Sequence, residues 1–174
     1  MIIDIQPLKR KDILEMDQMF LKQGWPSRQQ LLMEYLNEQE AGERYVLLAK
    51  INNKTAGYLT LVPLAKHGPF KGLYPEIADF NVFESYQKQG VGSQLLKAAE
   101  EKAREIAAVV TLGVGLHTGY GSAQRLYVKQ GYIPDGSGVW FNNQNCAMNA
   151  PCCNNDDLVL YLSKKLCPSR GKYL

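Results

Sequence analysis

The sequence of 174 residues lacks the features that mark several special classes of protein. No apolar run approaches the roughly 20 residues of a membrane-spanning helix, and residues 1–5 lack the charged lead-in and long apolar core of a secretion signal. Twenty Lys and Arg face seventeen Asp and Glu, for a net charge of +3, and they form no basic stripe of the kind that binds nucleic acid. We therefore expect a cytoplasmic globular protein that binds neither membrane nor nucleic acid, with a homodimer left open.

Metal-binding patterns are also missing. The four cysteines, Cys146, Cys152, Cys153 and Cys167, fall in the last thirty residues, and the adjacent pair Cys152-Cys153 does not match the C-x-x-C spacing of zinc sites. Cys152 has no recognisable base beside it in the sequence, which disfavours a role as a catalytic nucleophile. We expect reduced thiols and no metal ion.

Apolar periodicity predicts alternating strands and helices in one α/β domain over residues 1–174. The predicted strands are 1–6, 45–51, 55–63, 76–83, 109–116, one starting at 132, and 158–163. The predicted helices are 12–23, a second from an N-cap at Ser27 to about Gly42, then 93–106 and 122–129. Residues 142–156 read as a long loop and 168–174 as a tail. A buried strand at 109–116 after the helix at 93–106 indicates a crossover between parallel neighbours.

The most informative segment, residues 87–92, joins a predicted strand to a predicted helix and reads Gln-Lys-Gln-Gly-Val-Gly. Its glycines, Gly90 and Gly92, permit backbone angles that bring successive N–H groups towards a bound anion, and the helix N-terminus adds unpaired donors. It is not a P-loop, because Ser93-Gln94 follows the last glycine, and it is not a dinucleotide fingerprint, because residue 95 is leucine. The segment is a candidate phosphate-binding loop.

This segment resembles the acetyl-CoA signature Q/R-x-x-G-x-G/A of the GCN5-related N-acetyltransferase (GNAT) superfamily. The resemblance implies an α/β acyl-CoA N-acyltransferase fold, with a mixed central sheet of about seven strands flanked by helices. It also implies acetyl-CoA as co-substrate. The pyrophosphate would be held by Gln87, Gln89, Gly90, Val91, Gly92 and Ser93, and the pantetheine arm by the backbone around Phe80 and Val82.

Residues 121–132 resemble a second motif of the family, A-x-x-L-Y-x-x-x-G-F/Y, which assigns the general acid to Tyr127. A tyrosine suits this role because its ordinary pKa near about 10 keeps it protonated until the CoA thiolate departs. Many members carry asparagine where this sequence has Tyr120, so the contact made by that asparagine is not expected here.

A general base is also needed, because an alkylammonium at neutral pH has no lone pair with which to attack. Glu76 is the main candidate, at an offset from Gly90 similar to that of the catalytic glutamate in the family's histone-modifying members. The alternative is that Glu76 is a solvated residue at a strand end. Asp79 and Glu84 are rivals, and His117 or water stay open as alternatives.

The sequence therefore predicts an enzyme that transfers acetyl from acetyl-CoA to a primary amine of a small molecule or peptide, by direct attack in a ternary complex. The alternative is a non-catalytic acyl-CoA sensor or regulatory module. Trp25 and Trp140-Phe141 are candidate acceptor-site aromatics or ordinary core residues. The acceptor itself is not identified by any motif.

Overall fold

A computed structural model describes residues 1–167 of the chain, so the predicted tail at 168–174 lies outside the described residues. The helices are α1 (Arg10–Lys22), α2 (Gln29–Glu40), α3 (Val91–Arg104) and α4 (Gly121–Lys129). The strands are β1 (Asp4–Pro7), β2 (Tyr45–Ile51), β3 (Lys54–Val62), β4 (Glu76–Val82), β5 (Val109–Gly115), β6 (Ile133–Phe141), β7 (Gln144–Asn145) and β8 (Leu158–Lys165). Every predicted helix and strand is present, with ends displaced by a few residues.

The eight strands form a mixed sheet in the order β1-β2-β3-β4-β5-β8-β6-β7. The predicted α/β class and mixed sheet are confirmed. Strands β4 and β5 are parallel neighbours, as the predicted crossover requires, and their ladder comprises two pairs, Glu76 with Thr111 and Ile77 with Leu112. The eighth strand, β7, lies inside the segment predicted as a loop. It is too short for a strand pattern to show in the sequence.

A hairpin turn and a helix start show how far the local sequence determines the structure. Asn52 and Asn53, with φ of 50° and 63°, form the predicted hairpin turn between β2 and β3, because asparagine tolerates left-handed backbone. The predicted N-cap at Ser27 is displaced by one residue, because helix α2 starts after Arg28. The Ser27 hydroxyl donates to Asp17 at 2.9 Å, and its oxygen accepts a long hydrogen bond from the N–H of Gln29 at 3.4 Å.

The described residues divide into two compact units. The first comprises Met1–Val62 and Ala78–Glu101. In α1, Ile13, Met16 and Phe20 recur at helical spacing and are almost fully buried. They join a hydrophobic core with residues of α2, β2 and β3 and with Phe83, whose ring lies 5.0 Å from that of Phe20.

The second unit comprises Pro63–Ile77 and the chain from Lys102 onward. Its ladder between β5 and β8 is continuous over seven residue pairs. The expectation that β5 is covered on both faces is wrong at one position, because Gly113 is exposed between buried neighbours. The single domain predicted over residues 1–174 stays a prediction. None of the helices within residues 1–167 combines the length and apolar character needed to cross a bilayer.

Candidate active site

The loop between β4 and α3, in the first unit, has the backbone geometry of an anion-binding turn. Gly90 has φ of 82°, as expected for a glycine that sets the turn, and Lys88 shares the left-handed region at 58°. The second glycine behaves differently, because Gly92 already lies within α3. The left-handed residues of the turn are therefore Lys88 and Gly90. The special backbone angles predicted for both glycines are found at Gly90 and not at Gly92, which is helical.

Two glutamine side chains brace this loop. Gln87 donates from Nε2 to the carbonyl of Val82 at 3.1 Å, and Gln89 donates to the carbonyl of Ser85 at 3.0 Å. Both amides therefore tie the loop to the backbone just before it. The glutamine of the Q-x-x-G-x-G pattern is a structural support for the turn in this arrangement.

The start of α3 presents unpaired backbone donors. Its first helical hydrogen bond runs from the N–H of Gln94 to the carbonyl of Gly90 at 3.1 Å. The N–H groups of Val91, Gly92 and Ser93 therefore have no intrahelical acceptor. Donors at a helix N-terminus favour a phosphate group. The loop and the helix start can bind an anion.

Strand β4 enters this region beside β3, and Gly57 explains why the two backbones approach closely. A Cβ atom at position 57 would lie 2.7 Å from the carbonyl oxygen of Asn81 and 3.0 Å from the Cα of Val82. Phe80 and Val82, the predicted pantetheine contacts, are both half-buried on this strand. Glycine at position 57 is thus required by the position of β4.

Asp79, the alternative candidate for the base, is hydrogen-bonded within a polar cluster in the first unit. Its Oδ2 atom accepts hydrogen bonds from Arg28 at 2.8 Å, Tyr58 at 2.8 Å and Tyr35 at 3.1 Å. Arg28 also donates to the Tyr58 hydroxyl, and the neighbouring carboxylate is a cause of the raised pKa of Tyr58, after burial. A carboxylate that accepts three hydrogen bonds is a poor base. Glu84 is exposed and has no such environment.

Glu76, in the second unit, is the carboxyl group with the environment of a base. Burial raises its pKa to about 7. Its Oε2 atom is buried and has no hydrogen-bond partner within residues 1–167. Buried carboxyl oxygens are usually paired, and perturbed carboxyl groups concentrate at functional sites. Near neutral pH this group can take up and release a proton.

Tyr127 lies on α4 and is 6% exposed. Its ring lies 5.9 Å from that of Tyr132, and its carbonyl accepts from the N–H of Tyr132 at 3.0 Å. Helix α4 is fastened to β5 by Gln124, whose Nε2 donates to the carbonyl of Gly115 at 2.9 Å. The predicted acid is therefore held on a helix fixed to the end of β5.

Glu76 and Tyr127 lie on opposite sides of the sheet of the second unit. Lys164 of β8 lies 5.6 Å from the ring centre of Tyr132, which places Tyr132 and its neighbour Tyr127 on the face of Lys164. Glu76 pairs with Thr111, and Thr111 pairs with Ser163 of β8. Glu76 therefore lies on the same face of the sheet as Ser163 and Tyr161, which is two residues away along β8. The structure thus does not bring the two predicted catalytic side chains together on one face.

His117 follows β5 and has both ring nitrogens engaged. Nδ1 accepts from the N–H of Gly119 at 3.1 Å, and Nε2 lies 2.7 Å from Asp156 Oδ1. The hydroxyl of Tyr120, where the family often has asparagine, also donates to Asp156. These bonds to His117 and Tyr120 lower the pKa of Asp156. The arrangement ties the chain near Asp156 to the end of β5 and disfavours His117 as a base.

Three residues of the second unit near Glu76 were missed by the sequence reasoning. Tyr161 has its pKa raised to about 12, by burial and then by the charge of Glu76. Gly68 lies against the Tyr161 ring, because a Cβ atom there would lie 2.4 Å from Cζ. Gly113 pairs with Tyr161 across the ladder. These contacts depend on strand register, and no local motif signals them.

The other candidate residues separate into two groups. Trp25 lies against Phe20 in the first unit, with ring centres 5.8 Å apart. Trp140 lies 5.7 Å from Tyr161 in the second, in edge-to-face geometry. The four cysteines are free thiols. No three metal-ligating side chains come together in the described part of the chain.

These elements define a class: an α/β protein with a mixed sheet, parallel β4 and β5 joined through a helix, and a left-handed glycine turn at the start of that helix. The model of the Acetyltransferase (GNAT) family matches residues 10–132. The chain belongs to this family.

Solved structures show the same fold. An acetyltransferase of the GNAT family from Streptococcus pneumoniae is similar with a TM-score of 0.67 and 20% identity, over 95% of this chain and all of that one. The ribosomal-protein-S18-alanine N-acetyltransferase from Escherichia coli is similar at 0.66 and 15%, over 99% of each chain. The Salmonella typhimurium protein yncA, solved with acetyl-CoA, is similar at 0.67 and 15%, over 97% of this chain and 96% of that one. No curated protein matches by sequence.

Proposed function

We propose that this protein transfers acetyl from acetyl-CoA to a primary amine of a small molecule or peptide, by direct attack in a ternary complex. One observation supports this most strongly: a member of the GNAT family carries, at the position predicted for the base, a carboxyl group whose pKa burial raises to about 7. A group that titrates near the operating pH suits general-base catalysis.

The donor would be held by backbone groups. The N–H groups of Gly90, Val91, Gly92 and Ser93 would bind the pyrophosphate, and the backbone at Phe80 and Val82 would hold the pantetheine arm as an added strand is held. Charge-assisted N–H bonds contribute roughly 1.5–3 kcal/mol each, against about 0–1 for an exposed cation such as Lys88. Backbone geometry, and not the charge of Lys88, should therefore dominate donor affinity.

Glu76 would remove a proton from the acceptor ammonium, directly or through water. The neutral amine then attacks the thioester carbonyl carbon and a C–N bond forms. The nitrogen releases its second proton to solvent, and the C–S bond breaks as the thiolate leaves. Tyr127 would give its phenolic proton to that thiolate. Glu76 would act on the amine nitrogen and Tyr127 on the sulfur. Since these are different atoms, the two side chains can lie on opposite faces of the sheet and still act in the same acetyl transfer.

Strand β5 offers a place where this displacement could occur. It continues for three residues, Gly113 to Gly115, past the last pair of its ladder with β4.

Three of the four cysteines are exposed free thiols, which suits a reducing compartment, and we place the protein in the cytoplasm. The ribosomal-protein alanine in the name of the Escherichia coli protein keeps a peptide amine among the acceptors.

The test is thiol release from acetyl-CoA across a panel of amines, for wild type, Glu76→Gln and Tyr127→Phe. We expect amine-dependent release in wild type and a loss of about 10²–10⁴ in each variant. Glu84→Gln is the matched control, because Glu84 is exposed, and its activity should match wild type. Saturable CoA binding with no amine-dependent release would indicate a sensor instead, and absence of CoA binding would reject both functions.

A further inference from the structure

An exposed glycine lies in the middle of the central strand β5. Gly113 is open to solvent, whereas Leu112 and Val114 on either side are buried. Since glycine has no side chain, the surface at this point is backbone. Any neighbouring side chain on the same face must therefore rise above it and make a shallow depression.

Two side chains of β8 form one wall of this depression. A Cβ atom at Gly113 would lie 2.8 Å from Cγ1 of Val159 and 3.1 Å from Cε1 of Tyr161. Both side chains therefore project from the same face as position 113. Val159 is half-buried and Tyr161 is 6% exposed, so the wall is apolar and aromatic.

Further contacts hold this wall in place. Trp140 packs edge-to-face on Tyr161, and its indole N–H donates to the hydroxyl of Ser137 at 2.8 Å. The backbone of Gly68 lies against the far end of the Tyr161 ring. The ring has contacts on several sides, which favours a rigid wall over an adaptable one.

Glu76 lies at the end of the same face. It pairs with Thr111, two residues before Gly113 and therefore on the same side of β5. Its Oε2 atom is buried without a partner within residues 1–167. An unpartnered buried carboxyl oxygen indicates a ligand that supplies an N–H donor.

The charges around this face limit what the ligand can carry. Glu76 is the acid there with an unpartnered buried oxygen within residues 1–167. Asp156 is near the other end of the face, through Tyr120 against Gly115, but it already bonds to His117 and Tyr120. The Tyr161 phenol, whose pKa burial raises to about 12, is neutral. The loop that holds Gly68 carries the exposed cations Lys66 and Lys71 and the exposed His67. One carboxyl group can neutralise one ammonium, and a second positive charge would meet the lysines.

We propose that the depression formed by Gly113, Val159, Tyr161 and Glu76 is a binding site for a primary ammonium on an unbranched, apolar stem that carries no second positive charge. The ammonium bonds to Glu76 and the stem lies on Gly113 against Val159 and Tyr161. This deepens the proposed function and rests on it, because it names the acceptor of the acetyl group as a monocationic apolar amine.

Binding is tested without turnover by three six-carbon amines that differ at the remote end: hexylamine, 1,6-diaminohexane and 6-aminohexanoate. Tryptophan fluorescence is followed at pH 8 in a Trp25→Phe background, where the signal comes from Trp140 beside Tyr161. We expect hexylamine to bind with a Kd at least about tenfold lower than that of 1,6-diaminohexane, since placing a second ammonium near the lysines is unfavourable. 6-Aminohexanoate, whose remote charge is negative, should bind more tightly than 1,6-diaminohexane. Equal Kd values for hexylamine and 1,6-diaminohexane would overturn the proposal.

Gly113→Ala should weaken hexylamine binding roughly tenfold, because its methyl group occupies the floor of the depression and displaces the Val159 side chain, whose Cγ1 would lie 2.8 Å from it. This is a typical effect of one methylene in a pocket. Gly121→Ala is the matched control, because a Cβ atom there meets nothing within 4 Å. Should Gly113→Ala fail to fold by circular dichroism, Val159→Ala serves in its place. That variant shortens the wall and so widens the depression. It should improve binding of 4-phenylbutylamine relative to hexylamine by at least about threefold.

Thiol release from acetyl-CoA with hexylamine is measured separately. Hexylamine binding that depends on Gly113 but gives no thiol release would support the site and reject the proposed enzyme. Thiol release with hexylamine binding that is unchanged in both Gly113→Ala and Val159→Ala would support the enzyme and overturn this site.

Discussion

Replacing Glu76 by glutamine should lower activity and at the same time remove a pH-dependent cost to stability. Burial raises the pKa of Glu76 in the folded protein from an ordinary 4.5 to about 7. Between these values the folded chain holds a proton that the unfolded chain has lost. The free energy of unfolding contributed by this group therefore falls as pH rises from about 4.5 through about 7.

The size of this effect follows from the pKa difference. One pKa unit corresponds to about 1.4 kcal/mol, so the rise from 4.5 to about 7 corresponds to roughly 3.5 kcal/mol. Solvent screening of this half-buried group reduces the expected effect to on the order of 2–3 kcal/mol. Glutamine does not ionise and carries no such penalty. Relative to Glu76→Gln, wild type should thus lose about 2–3 kcal/mol of stability between pH 4.5 and pH 8.

The assay is equilibrium unfolding in urea of wild type, Glu76→Gln and the exposed control Glu84→Gln, each at pH 4.5 and pH 8. Comparing the change with pH cancels any constant cost of burying the glutamine amide. In parallel, the ratio of kcat/KM between wild type and Glu76→Gln should rise with pH up to about 7, reach a plateau, and amount there to about 10²–10⁴.

Two results would refute this reasoning. If wild type and Glu76→Gln lose the same stability between the two pH values, Glu76 is not held neutral by burial. If kcat/KM of Glu76→Gln stays within about threefold of wild type, the carboxyl group is not the base, and water-mediated transfer without Glu76 must be considered.

Three further predictions concern the other candidate residues. Tyr127→Phe should lower kcat by about 10²–10⁴ with little change in the Kd of CoA, with Tyr86→Phe as the control in steady-state kinetics; an unchanged kcat would reject the acid. Gly90→Ala should weaken CoA binding and cost about 1–2 kcal/mol, because alanine is strained at a φ of 82°; calorimetry with unchanged affinity would contradict the turn's role. Asp79→Asn should destabilise the fold by about 1–3 kcal/mol in urea by weakening the three hydrogen bonds that Asp79 accepts; a loss of activity matching that of Glu76→Gln, without loss of stability, would make Asp79 the base.

The sequence predicted those parts of the fold that depend on local pattern. Helical spacing in α1 and α3 and the Asn52-Asn53 turn are properties of short segments, and all three are confirmed. The position of the candidate phosphate loop between β4 and α3 is confirmed for the same reason. The left-handed angle at Lys88 was missed, because lysine rarely adopts it and nothing in its type signals it.

The rest of the candidate site depends on contacts between distant segments. Without the structure it could not be decided whether Glu76 is a solvated residue at a strand end or a buried carboxyl group. The ion pair between Asp79 and Arg28 could not be predicted either. The surroundings of Gly113 follow from the register that places Tyr161 opposite it. A shift of one residue in that register would turn Tyr161 to the other face of the sheet, and single-chain patterns do not specify it.

The central claim, acetyl transfer from acetyl-CoA to an amine, is tested most directly by following the acetyl group itself. Wild-type protein is incubated with hexylamine and acetyl-CoA that is isotopically labelled in the acetyl group, and the amide product and free thiol are measured by mass spectrometry. We predict labelled N-acetylhexylamine and free CoA thiol in equal amounts, both dependent on protein and amine. Saturable binding of acetyl-CoA with no labelled amide from hexylamine or from any other amine or peptide in the panel would contradict the account.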